Sequence, residues 1–87
     1  MAVVKVYTTR VCPYCVAAKR LLGARGIFYE EIDVTGDDEM RAWLVEQTGR
    51  RTVPQIFIGG EAIGGYDDLA SLDRLGRLTA MLTDSTV

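Results

Sequence analysis

Eighty-seven residues, 48% of them hydrophobic and 25% charged, suit one folded domain spanning 1–87 and are too few for two separate cores. A net charge of −2 gives no reason to expect nucleic acid or an acidic membrane surface as a general partner. No run approaches the roughly eighteen apolar residues of a membrane span, and MAVVKVYTTR lacks the apolar stretch and cleavage site of a secretory signal, so a cytoplasmic location is expected.

Residues 3–7, VVKVY, are β-branched and aromatic with partial alternation, which predicts a strand leading directly into RVCPYCVAAK. That segment holds the chain's only two cysteines. From Pro13 the pattern turns helical: Ala18, Leu21 and Leu22 fall at i, i+3 and i+4, and proline suits the first helical position. Gly23 and Gly26 mark the exit, and Cys12 falls at the N-cap. Residues 28–34 predict a second strand. Asp37 and Asp38 then supply a cap and a first-turn acid for a helix whose inner stripe is Met40, Trp43, Leu44 and Gln47. This helix should stop near Thr48-Gly49, with Pro54 shortly beyond.

QIFI, residues 55–58, predicts a third strand, and the glycines of FIGGEAIGG set it off from a short fourth one at 61–63. Asp67 opens a last helix carrying Leu69, Leu72 and Leu75, with Leu78 and Leu82 continuing past Gly76, where the turns should loosen or bend. The closing TDSTV is expected to fray. The order is therefore β-α-β-α-β-β-α. A crossover helix makes the first strand pair parallel, and the tight glycine connection makes the last pair antiparallel. The expected fold class is α/β: a four-stranded mixed sheet flanked by three helices, a thioredoxin-like domain in minimal form. A strand leading into C-x-x-C is the context that redox motifs require.

A thiolate attacks disulfides and a thiol does not, so a redox cysteine needs stabilisation of negative charge. Cys12 at the N-cap would face free amides and the positive end of the helix dipole, with Arg10 close in sequence. Its pKa is expected to fall from about 8.5 into the range of roughly 3.5 to 7.5. Cys12 is the expected nucleophile, and Cys15, one turn later and tucked beneath the helix start, is placed to resolve a mixed disulfide. Pro13 fixes the first turn, and Tyr14 offers a flat wall and a hydroxyl. A structural zinc site takes four ligands, which two cysteines and no histidine cannot supply within one chain, so no metal is expected; a site shared between chains stays open.

Val53-Pro54 precedes the third strand, where a proline cannot serve a central ladder and a cis bond is one option. Such a bond would expose the Val53 backbone to a short extended peptide, a one-residue form of strand addition. GGYDDLA supplies close-approach glycines and a helix start, with Tyr66, Asp67 and Asp68 lining the turn. By itself GGYDD specifies only a capped helix.

CPYC, TVP and GGYDD, in this order and spacing and over almost the whole chain, resemble a dithiol glutaredoxin of the small bacterial class. CPYC is the most specific of the three. The resemblance implies a glutathione-dependent thiol-disulfide oxidoreductase that reduces protein disulfides and glutathione mixed disulfides. Glutathione would be the reducing cosubstrate, and no cofactor would be held permanently. It implies Cys12 and Cys15 as catalytic residues. Tyr14, Thr52, Val53, Pro54, Gly65, Tyr66 and Asp67 are the implied glutathione contacts: the tripeptide's cysteine would pair with Val53, and its γ-glutamyl end would meet Tyr66-Asp67. Expected partners are glutathione and disulfide-containing or glutathionylated proteins, with no nucleic acid and no membrane, and the chain is expected to act as a monomer. One departure stands out: the family commonly has lysine three residues before the first cysteine, and this chain has Thr9, leaving Arg10 as the nearest substitute; Val11 replaces a frequent threonine.

Two rival functions are carried alongside. An electron donor recharged by thioredoxin reductase shares the dithiol, but the TVP and GGYDD elements argue against it. A dimer carrying an iron–sulfur cluster through glutathione shares the fold, and the rigid Pro13 argues against it.

Overall fold

The computed structural model describes residues 3–84. Its elements are β1 (Val4–Thr8), α1 (Pro13–Ala24), β2 (Glu30–Asp33), α2 (Asp38–Thr48), β3 (Gln55–Ile58), β4 (Glu61–Gly64), α3 (Tyr66–Arg74) and α4 (Arg77–Asp84). The sheet order is β2-β1-β3-β4, with β1 parallel to β2 and antiparallel to β3, and β3 antiparallel to β4. This is the mixed four-stranded sheet expected from the connections: a helix carries the chain between parallel strands, and a glycine turn joins antiparallel ones.

The period of two along the strands divides the core between the sheet faces. Val4 and Val6 of β1 and Ile56 and Ile58 of β3 turn to one face, where they pack with Ala18 and Leu22 of α1, Leu69 of α3 and Leu78 of α4. Tyr7 and Phe57 turn to the other face and meet Val34 and Leu44. Leu22 and Leu69 are fully buried, each contributing on the order of 2 kcal/mol in apolar burial. Trp43, at the edge of the second cluster, stacks on Phe57 with ring centroids 5.9 Å apart and tilts against Tyr7 at 5.8 Å.

Several boundaries differ from the sequence reading for local reasons. β2 is shorter than residues 28–34: it is an edge strand paired only along Lys5 to Thr8 of β1, and Phe28 stands outside it, 89% exposed. Gly23 lies within α1, and the exit falls to Gly26, whose φ of 68° is left-handed. In α2 the inner residue is Leu44, with Met40 packed beside it; Gln47 is exposed. The last helix divides: Leu75 caps α3, Gly76 takes φ 71°, and α4 starts afresh at Arg77, so among the described residues four helices flank the sheet. The expected fraying of TDSTV falls largely on 85–87, outside the described residues.

Candidate functional site

The end of β1 delivers the cysteine segment to the edge of the molecule. Val34 N–H donates to the Thr8 carbonyl at 2.8 Å, and Arg10 N–H donates to Thr35 Oγ1 at 2.8 Å, so the approach to Cys12 is tied to the segment after β2. Cys12 is the N-cap of α1, in extended conformation, and its carbonyl accepts from Val16 N–H at 3.1 Å. Pro13 occupies the first helical turn, where a missing N–H costs no helical bond. Cys12 Sγ accepts a hydrogen bond from Cys15 N–H at 3.1 Å. The sulfur thus takes the place of the oxygen of an ordinary capping side chain, among the free amides of a helix start. Cys12 and Cys15 are joined in a disulfide with Cα atoms 5.1 Å apart. Cys15 is 1% exposed, Cys12 is half-buried, and Val11 beside it is 89% exposed, so only the first sulfur is open to a partner.

Cys12 Sγ lies 3.6 Å from the Val53 carbonyl oxygen. The Val53–Pro54 peptide bond is cis. Buried Gln55 steadies this turn: its Nε2 donates to the Thr52 carbonyl at 2.8 Å and reaches Thr52 Oγ1 at 3.4 Å. A groove of about 270 Å³ runs from Tyr14 along Thr52, Val53 and Pro54 to Gly65, Tyr66, Asp67 and Asp68, with Arg50 on its wall. Tyr14 and Tyr66 face each other with ring centroids 6.4 Å apart. Seven residues singled out in the sequence (Tyr14, Thr52, Val53, Pro54, Gly65, Tyr66 and Asp67) therefore line one groove, and Val53 links it to the cysteine pair.

Asp68 sits at the far end. Its Oδ2 accepts the Gly65 N–H at 3.0 Å, the side-chain half of a capping box on α3, and lies 3.1 Å from Arg50 Nη1. The Gly65 amide, and after it the Arg50 guanidinium, hold the Asp68 carboxyl below the usual carboxylate range. The helix therefore starts at Tyr66, one residue earlier than the sequence suggested, with Gly65 as N-cap.

Arg10, the cation nearest the position where the family has lysine, lines neither the groove nor its neighbour, and its charge helps lower the Asp33 carboxyl, behind the larger effect of the Thr35 hydroxyl and amide. Positive charge reaches the site instead from α2 and the following loop. A second groove of about 390 Å³, on the other side of Thr52 and Val53, is bordered by Arg41, Arg50 and Arg51.

Sequence reading missed Arg50, Gln55 and Gly64. Gly64 has φ 121°, and a Cβ there would overlap the Asp68 carboxylate, whereas at Gly65 it would meet only the Pro54 carbonyl oxygen at an ordinary 3.5 Å. The signal available for Arg50 was a cation placed directly after a helix-closing glycine and two residues before Thr52. Among the described residues no cluster of histidine, cysteine, aspartate or glutamate is placed to hold a metal ion, and no helix is long and apolar enough to cross a membrane.

An accessible sulfur capped by a helix-start amide, with a buried partner one turn away, is equipped to exchange disulfides. The glutaredoxin family model matches residues 4–63. A Pseudomonas aeruginosa glutaredoxin is 48% identical, over 95% of this chain and 99% of its own. Glutaredoxin 3 of Escherichia coli strain K12 is 45% identical, over 94% of this chain and 99% of its own. The crystal structure of the buckwheat glutaredoxin–glutathione complex superposes with a TM-score of 0.88 at 36% identity, covering 95% of this chain and 78% of that one. The cysteine pair, the fold and these relatives together place the chain in the glutaredoxin family of thiol–disulfide oxidoreductases.

Proposed function

We propose that this protein uses glutathione to reduce protein disulfides and glutathione mixed disulfides in the cytoplasm, acting as a monomer. The observation that carries the reading is the 3.6 Å separation between Cys12 Sγ and the Val53 carbonyl. A substrate cysteine paired with the Val53 backbone as a short extended strand would bring its own sulfur beside Cys12. One end of the substrate would then run past Tyr14 toward Tyr66 and Asp67, and the other toward Arg41 and Arg51. For glutathione, the first is the γ-glutamyl end and the second the glycyl carboxylate. The buckwheat relative bound to glutathione supports the choice of ligand.

The cycle follows from the two sulfurs. Cys12 thiolate attacks one sulfur of a substrate disulfide, a Cys12–substrate disulfide forms, and the other substrate sulfur leaves as thiolate and takes a proton. Cys15 thiolate then attacks Cys12 Sγ, releasing the reduced substrate and closing the Cys12–Cys15 disulfide. One glutathione thiolate opens that disulfide at Cys12, and a second removes the first as glutathione disulfide. The sum is one disulfide reduced for two glutathiones oxidised.

Parallel assays coupled to glutathione with glutathione reductase, or to thioredoxin reductase alone, test the proposal. Turnover should require glutathione. Turnover with thioredoxin reductase and none with glutathione overturns it.

A further inference from the structure

We infer that Arg50 is an anion anchor of the groove, gripping the α-carboxylate at the γ-glutamyl end of glutathione; the inference rests on the glutathione reading above. Arg50 stands on the groove wall opposite the start of α3 and belongs to both grooves that flank Thr52 and Val53. Its backbone is fixed: Arg50 N–H donates to Thr48 Oγ1 at 3.1 Å, and the Thr48 hydroxyl donates to the Leu44 carbonyl at 2.7 Å. Its side chain is aimed across the groove by Asp68, which accepts from Nη1 at 3.1 Å and is itself held by Gly65 N–H. Gly64 leaves the space in which Asp68 sits.

A guanidinium has five N–H donors in a planar fork, and Asp68 accepts from one of them, on Nη1. The remaining side-chain donors of Arg50 have no protein partner among the described residues. Arg50 lines the same groove as the start of α3, whose first amides also favour an anion. With Asp68 orienting the side chain beforehand, little rotamer freedom is lost when a second carboxylate arrives. Exposed Asp67 stands at the same end with the opposite charge, so the position suits a group carrying both signs, such as the free α-carbon head of a γ-glutamyl residue. Asp68 in this arrangement is a positioning residue, acting through Arg50.

The test compares single-turnover rates on one cysteine peptide carried as three mixed disulfides: with glutathione, with glutathione whose γ-glutamyl α-carboxylate is amidated, and with cysteinylglycine. The unmodified protein should favour the glutathione adduct over the amidated one by about tenfold, the low end for a hydrogen bond to a charged group. Arg50→Ala should shrink that ratio to roughly twofold, the residue left to the helix amides, and Arg50→Lys should keep an intermediate ratio. The double variant Arg50→Ala with Asp68→Asn should stay low. A ratio in Arg50→Ala equal to that of the unmodified protein overturns the inference. Recovery of the full ratio in the double variant also overturns it, because the uncovered Asp68 charge would then explain the loss. An unmodified protein that ignores the amide substitution yet prefers glutathione to cysteinylglycine overturns the role of Arg50 and leaves the glutathione reading standing. One that fails to distinguish glutathione from cysteinylglycine overturns that reading, and this inference with it.

Discussion

The backbone N–H of Cys15 points at Cys12 Sγ from 3.1 Å, so the resolving residue's amide caps the sulfur of the attacking one. In the reduced protein the same amide, with the positive end of α1, favours the thiolate of Cys12 over the thiol. Thr9 in place of lysine removes one cation, but the amides belong to the backbone and remain. The Cys12 thiolate should therefore titrate below an unassisted thiol, followed by ultraviolet absorbance of the reduced protein. A titration near 8.5, the value of an unassisted thiol, would show that the helix start does not supply the activation.

Cys15 is 1% exposed beneath Cys12, out of reach of a bulky disulfide but within bonding reach of its neighbour. Cys15→Ser should keep turnover of glutathione mixed disulfides, which need only Cys12, and lose protein-disulfide reduction by about a hundredfold or more. Cys12→Ser should lose both. Retention of either activity in Cys12→Ser would reassign the nucleophile.

What could be read in the sequence was what local chemistry determines. QIFI is the third strand over the same four residues, Cys12 is an N-cap because Pro13 opens a helical pattern, and Asp37 caps α2 by accepting from Met40 N–H at 3.0 Å. The reading weakened where partners lie far apart in the chain. β2, with the sequence EEID, has little strand propensity of its own and exists through its pairing with β1. Arg50 and Asp68 are eighteen residues apart, and no periodicity or spacing joins them; only the folded chain brings them together. Arg10 sits in the bend after β1, tied by its N–H to Thr35 Oγ1, and lines neither groove, which spacing from Cys12 alone does not reveal.

Two glycines should respond in opposite directions to alanine. Gly64 has φ 121°, and a Cβ there meets the Asp68 carboxylate, so Gly64→Ala should cost about 2 kcal/mol and displace Asp68 from Gly65 N–H. Gly23 is exposed within α1, and a Cβ there meets nothing within 4 Å, so Gly23→Ala should raise stability by up to about 1 kcal/mol through helix propensity. Urea midpoints of the two variants check both signs. Destabilisation by Gly23→Ala would mean that α1 does not hold its regular helix to Ala24.

Asp68 also makes the stability of the α3 start depend on acid. Its carboxyl is held below its ordinary value chiefly by the Gly65 amide, and then by Arg50. Because the folded-state value is depressed, ionised Asp68 stabilises the fold fully above the unfolded value of about 3.9, and that contribution fades as pH falls through the lower folded value. Asp68→Asn keeps an acceptor for the Gly65 amide but removes the charge. The unmodified protein should be the more stable of the two at neutral pH, by a small margin because Asp68 and Arg50 are 41% and 54% exposed and solvent screens them. The gap between their urea midpoints should hold from pH 7 to about 5 and close as the pH drops below about 3.9. A gap that persists unchanged in acid would assign the effect of the substitution to lost shape at the helix start, and would remove the ionised carboxylate from the account of how α3 is capped.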